Sequence, residues 1–169
     1  METGNHTFEA GGYRFTLHHT ARGVCGLTLG AAGVPEAPRG RPPAFVTTAE
    51  RRIRAHFTDG DEIRGVRLDL AALTPFQRRV VSLLPRIPRG ATVTYGRLAA
   101  MAGAPGAARA VGAAMARNPL PIILPCHRVI ASDRTLRGFS GHGGLGTKRA
   151  LLSGEGVRWE RDGTVSPAC

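Results

Sequence analysis

The chain has 169 residues, 42% of them hydrophobic, which suits one full domain or one of moderate size with a small partner and excludes global disorder. No apolar stretch nears the roughly 18 residues of a membrane helix, and no basic segment precedes an apolar core at the N-terminus, so an intracellular protein free of the membrane is expected. The formal net charge is +11, of which residues 71–169 carry +10; between Asp69 and Asp133 there are eight arginines and no acid, a balance that fits a polyanion such as nucleic acid.

Tyr13-Arg14-Phe15-Thr16-Leu17 alternates like a half-buried strand, and Val24 to Leu29 reads as its hairpin partner across Thr20-Ala21-Arg22-Gly23. Residues 30–43, rich in Gly, Ala and Pro, read as a loop. Thr47 and Glu50 form a capping-box pattern for a short helix through about Phe57, after which Asp59-Gly60-Asp61 turns the chain. Ile63, Val66, Leu68 and Leu70 lie in a segment expected to be extended. Residues 1–70 thus read as a small domain without a site-like cluster.

Thr74-Pro75-Phe76-Gln77 offers an N-cap, a proline at the first helical position and a glutamine three residues on. Phe76, Val80, Leu83 and Leu84 fall on one face of the helix that follows, which Pro85 and Pro88 end. Thr94 caps a second helix over Tyr95 to Ala102, with Leu98 and Met101 on one face. Gly103-Ala104-Pro105-Gly106 breaks it, and a third helix runs from about Ala107 to Arg117. Two helices across a short Gly-containing break form a helix-turn-helix pattern.

In the third helix Ala108, Val111 and Met115 would face the core. Arg109, Gly112, Ala113 and Ala116 form the other stripe, one arginine followed by nothing larger than a methyl group. A helix that reads bases in the major groove carries several long polar side chains. This face is bare, which predicts backbone approach to a widened minor groove with little sequence information. Packing of the bare face against another helix is the alternative.

Asn118-Pro119-Leu120-Pro121 stops that helix, and Ile122-Ile123-Leu124 reads as a short buried strand delivering Pro125-Cys126-His127-Arg128-Val129-Ile130. Three cysteines, at 25, 126 and 169, argue against a disulfide framework or a cysteine-rich zinc module, and His6, His18 and His19 show no paired-ligand spacing, so neither metal nor cofactor is expected. A free thiol is only a few per cent ionised at neutral pH; attack by Cys126 on carbon needs a proton acceptor and a positive field. His127 supplies the acceptor and Arg128 part of the field. Adjacent residues on a strand point to opposite faces, so the imidazole would reach the sulfur only through a bend or a water.

The hexapeptide Pro125 to Ile130, with Thr74-Pro75-Phe76-Gln77, Val93-Thr94-Tyr95-Gly96, Ala108 to Gly112 and Asn118-Pro119, resembles the O6-alkylguanine-DNA alkyltransferase family in order and spacing from about Pro75 to Trp159. The resemblance implies that Cys126 is the acceptor nucleophile, His127 a water-mediated base oriented by Glu155, and Asn118 a shaper of the helix-to-strand turn. Arg109 would fill the space of the extruded nucleotide, Tyr95 would rotate the base out and donate to its ring, and Ser140 would help bind the guanine oxygen. Arg128, Val129, Phe139 and Ala113 would be further DNA- or base-contacting positions. Departures from relatives include Val81, Arg89 and Phe139, and Gly141 to Gly144 resembles a short insertion beside the binding loop, which bears on adduct size.

The expectation is an α+β protein: a small N-terminal α/β-type domain of supporting role over 1–70, then a helix-turn-helix, winged-helix-like transferase domain over 71–169. It would act once per molecule on double-stranded DNA containing O6-alkylguanine, as a monomer in the cytoplasm or with the chromosome, without metal or cofactor. The alternatives are a non-catalytic alkylguanine sensor, in which the cysteine is replaced, a helix-turn-helix regulator and a Cys-His hydrolase.

Overall fold

The computed structural model describes residues 4–33, 41–139 and 141–166. Two compact units are present. One runs to Ala72 and also takes in Pro119–Ile123; the other comprises Leu73–Asn118 and continues from Leu124.

The first unit is an antiparallel three-stranded sheet, β1 (Gly4–Ala10), β2 (Tyr13–Thr20) and β3 (Gly23–Ala31), in the order β1-β2-β3. The hairpin of β2 and β3 is as the alternation predicts; β1 is an addition. Register pairs Phe8 with Phe15 and Leu17 with Leu27, so one face carries the apolar set. The helix α1 (Ala44–Thr58) buries Val46, Ala49, Ile53 and His56, a helical stripe, and Phe57 meets Phe15 at 5.7 Å between ring centres.

The Thr47–Glu50 capping box does not form. The helix starts three residues earlier, after the extended Pro43, and Thr47 lies inside its first turn. Glu50 instead accepts from His6 Nε2 at 2.6 Å and Arg54 Nε at 2.8 Å. The expected extended segment after Asp61 makes one bridge, Leu68 to Val24.

In the second unit α2 (Pro75–Leu83) begins with both halves of its capping box: Gln77 N–H donates to Thr74 Oγ1, and Thr74 N–H donates to Gln77 Oε1 at 2.9 Å. After a 3₁₀ turn at Leu84–Arg86 come the two-residue strand β4 (Val93–Thr94), α3 (Tyr95–Met101) and α4 (Ala108–Ala116). Gly103 and Gly106 adopt φ of 70° and 86° in the α3–α4 break, a conformation open to glycine at no steric cost. Leu98 is fully buried but Met101 is 38% exposed; Ala102, one residue on, takes the inward place expected of Met101. The strand β5 (Val129–Ile130) pairs parallel with β4, and α5 (Gly144–Gly154) follows.

Ile122-Ile123-Leu124 is buried but is not a strand, and Ile122 and Ile123 form a turn. Ile122 has φ 73°, a left-handed conformation that costs a β-branched residue on the order of 1–3 kcal/mol. Ile123 N–H donates back to Pro121 O at 3.0 Å, and Cys126 N–H donates to Leu124 O at 2.7 Å. Within the first unit, Leu27 N–H donates to Pro119 O at 2.7 Å, which ties the start of this segment to β3.

The capping box of α2 gives a direct check. Thr74→Ala removes the acceptor for Gln77 N–H and should cost about 1 kcal/mol, read as a lower urea midpoint with an unchanged slope.

Candidate active site

Cys126, His127 and Arg128 form one turn of 3₁₀ helix, capped by Pro125 and followed directly by β5. The strand geometry that would set Cys126 and His127 on opposite faces does not apply. Cys126 is 7% exposed and lines a cavity of about 230 Å³ with Tyr95, Gly112, Met115, Ala116, Gly138 and Phe139. That volume is below the roughly 300–1,000 Å³ of pockets for drug-sized ligands and suits one flat ring with a small substituent.

The α3–α4 pair brings the bare stripe beside the thiol. Val111, Ala114 and Met115 are buried, whereas Arg109, Ala113 and Ala116 are exposed. A methyl group added at Gly112 would meet nothing within 4 Å. Internal packing therefore does not require a glycine there, and the alternative of a helix seated on this face finds no support among the described residues.

Burial pushes the Cys126 thiol up from its ordinary value; hydrogen bonding from Asn118 and the positive charge of Lys148 oppose this without cancelling it. Asn118, itself buried, also donates Nδ2–H to Leu124 O at 2.8 Å, fastening the end of α4 to the residue before Pro125. Tyr95 lies at the start of α3 and donates its hydroxyl to Arg137 O at 3.2 Å. Burial, and after it the charge of Cys126, raise the Tyr95 phenol above its usual value, so it keeps its proton.

Behind the thiol, Glu155 caps the C-terminal end of α5. His127 Nε2–H donates to Glu155 Oε1 at 2.9 Å, which leaves the accepting lone pair on Nδ1. Burial raises the Glu155 carboxyl, but hydrogen bonds and charge from His127 and Arg128 together bring it down to about 2.

Two expected positions are elsewhere. Arg128 is 1% exposed; Nε and Nη2 donate to Glu155 at 2.9 and 2.8 Å, and Nη1 donates to Ile87 O at 2.6 Å. It is not a base-contacting arginine, because its donors are spent inside the fold. The Val129 side chain is fully buried in β5 and presents no surface to a base. Phe139, half-buried, stays on the cavity wall, and Ser140 lies outside the described residues.

Lys148 is the residue that sequence reasoning passed over. It is fully buried, and Nζ donates to Val129 O at 2.7 Å and Arg137 O at 2.8 Å. Burial lowers it to about 8, partly offset by Cys126. The signal was present: it is the only lysine among 23 Lys and Arg residues, and a compact ammonium fits converging carbonyls where a planar guanidinium does not.

The carboxylate has a consequence for acid stability. Glu155 is favoured ionised in the folded chain, so its contribution, about 3 kcal/mol, is fully present above about pH 4.5 and is lost as pH falls towards 2. Urea unfolding should show the native protein losing about 2 kcal/mol of this increment between pH 6 and pH 3, whereas Glu155→Gln loses none of it.

Residues 75–157 match the family model described as 6-O-methylguanine DNA methyltransferase, DNA binding domain. A methylated-DNA–protein-cysteine methyltransferase of Mycobacterium bovis is 45% identical over 123 residues, 73% of each chain. One of Salmonella typhimurium is 54% identical over 83 residues, 49% of this chain and 47% of the relative. The crystal structure of Mycobacterium tuberculosis OGT in complex with DNA superposes with a TM-score of 0.74 at 37% identity, covering 90% of this chain and 92% of that one. An O6-methylguanine-DNA methyltransferase from Pyrococcus kodakaraensis gives a TM-score of 0.63 at 26% identity, covering 91% and 99%. With a thiol and a bare helix on one cavity, an oriented imidazole behind the thiol, and a relative 45% identical over 73% of each chain, the chain belongs to the methylated-DNA–protein-cysteine methyltransferase family.

Proposed function

We infer that this protein repairs DNA by moving the alkyl group of O6-methylguanine in a duplex onto Cys126, once per molecule. The observation that carries the reading is the small cavity, with Cys126 on one side and the bare face of α4 and Phe139 on the others. A base inside a duplex cannot reach a buried sulfur, so it must leave the stack, at a cost of a few kcal/mol. The exposed Arg109 at the start of α4 would occupy the space left behind, and Gly112, Ala113 and Ala116 would let the backbone approach the minor groove.

In the pocket, Phe139 would stack on the ring and Tyr95, still protonated, would donate to it. His127 would take the thiol proton through a water, held by Glu155, and the thiolate would displace guanine from the alkyl carbon. The carbon–oxygen bond breaks as the carbon–sulfur bond forms, and the donated proton leaves guanine neutral. Asn118 would hold the turn under the site, and Ser140 would meet the guanine oxygen. The first unit would serve as support. Among the described residues no helix is long and apolar enough to cross a membrane. A duplex substrate puts the working protein with the chromosome, in the cytoplasm of a prokaryote or the nucleus of a eukaryote.

Incubation with DNA carrying O6-methylguanine should add one methyl group to the peptide containing Cys126, seen by mass spectrometry; label on any other residue overturns the reading. Cys126→Ser should bind DNA and accept nothing. Arg109→Ala should slow transfer from duplex by about tenfold, the effect of losing ~1.4 kcal/mol of the extrusion cost, and leave single-stranded substrate unaffected. Equal rates on both substrates would remove Arg109 from the extrusion step. Gly112→Ala should raise stability by about 0.5–1 kcal/mol in thermal melts while lowering transfer, because the added methyl narrows the helix-to-cavity approach.

A further inference from the structure

The cluster behind Cys126 holds more than orientation of an imidazole requires. Glu155 is the only buried acid of the second unit among the described residues, and its two oxygens accept three donors. One oxygen would suffice to hold His127. Two of the three donors come from Arg128, a group that keeps its charge at any accessible pH, and the same Glu155 Oε1 takes both His127 and Arg128. A carboxylate with no other partner, 2.9 Å from the imidazole, would leave a negative charge behind the thiol that opposes a second one on sulfur.

We propose that Arg128 is a positioning residue that neutralises Glu155, so that no uncompensated negative charge stands behind Cys126 and the thiolate–imidazolium pair forms without net charge in the buried cluster. The proton balance is explicit. Before transfer, the thiol and imidazole are neutral and Glu155 and Arg128 cancel. After the proton moves from Sγ to His127, the negative sulfur and positive ring cancel, and so do Glu155 and Arg128. The other groups facing the thiol do not disturb this count: Tyr95 from α3 keeps its proton, and Lys148 from α5 adds the same positive charge to both states. Neither Asn118 nor Met115 carries a charge. The proposal rests on the reading of Cys126 as the acceptor, and gives Arg128 a part in it without contact to DNA.

The test follows alkylation of Cys126 by iodoacetamide against pH in the full chain without DNA, read from the mass of the Cys126 peptide. The thiolate displaces iodide and forms a thioether, so the pH midpoint reports thiol ionisation. Arg128→Met should raise the midpoint by about one pH unit or more. Glu155→Gln leaves Arg128 unanswered and should lower it. Arg128→Lys, which keeps the charge but not the forked geometry, should stay near the native midpoint. A role in packing alone predicts that losing either partner loosens the cluster in the same way. Midpoints that move in one direction for Arg128→Met and Glu155→Gln, or do not move, overturn the proposal. If Arg128→Met does not fold, the native-like midpoint of Arg128→Lys and the downward shift of Glu155→Gln decide it, and an upward shift in either one sinks it. Since iodoacetamide requires neither a flipped base nor a helix in a groove, failure of methyl transfer with these shifts intact would tell against the repair reading alone.

Discussion

One buried carboxylate holds the turn that carries Cys126. Glu155 ends α5 and at 2.8–2.9 Å holds both residues that follow Cys126, while Arg128 reaches on to Ile87 O. Three stretches distant in sequence are thereby fixed on one point: the turn after α2, the Cys126–Arg128 turn and the end of α5. Burying a charge on both partners costs several kcal/mol, recovered only because nearly every donor has an acceptor. Removing one partner would leave the other charged and dry, which is why the cluster behaves as a unit and not as separable contacts.

A second set of bonds shapes the cavity rather than the base. Lys148 gathers carbonyls from β5 and from the segment at Arg137, and Tyr95 bonds the same Arg137 carbonyl from α3. The wall carrying Gly138 and Phe139 has little secondary structure of its own, so these donors supply the order that a helix or strand would otherwise give.

Much of the second unit was legible in the sequence because its signals are local. Thr74, Pro75 and Gln77 announce a helix start through groups three residues apart, and Gly103 and Gly106 mark the break between α3 and α4. Cys126, His127 and the stripe from Arg109 to Ala116 were found for the same reason. What escaped was set by distant partners. Arg128 was expected at the DNA, whereas its partner is Glu155, 27 residues on. Lys148 is paired only with carbonyls, which leave no trace in a sequence. The Thr47–Glu50 motif failed because the helix begins before it, so that Thr47 N–H bonds Pro43 O and Glu50 is left to His6, 44 residues away. The run Ile122 to Leu124 has strand-forming residues yet is bent, with Ile122 at φ 73° and Ile123 N–H bonded back to Pro121 O.

The empty space over Gly112 bears on how damage would be located. A surface offering one guanidinium and a row of methyls carries no alphabet, so every base pair set against it would look alike. Discrimination must then come from the duplex itself, from how readily each nucleotide swings free, and weakly paired lesions advertise themselves by that ease. Search becomes a matter of how often the molecule samples, governed by its excess of arginine and by ionic strength rather than by any sequence it prefers.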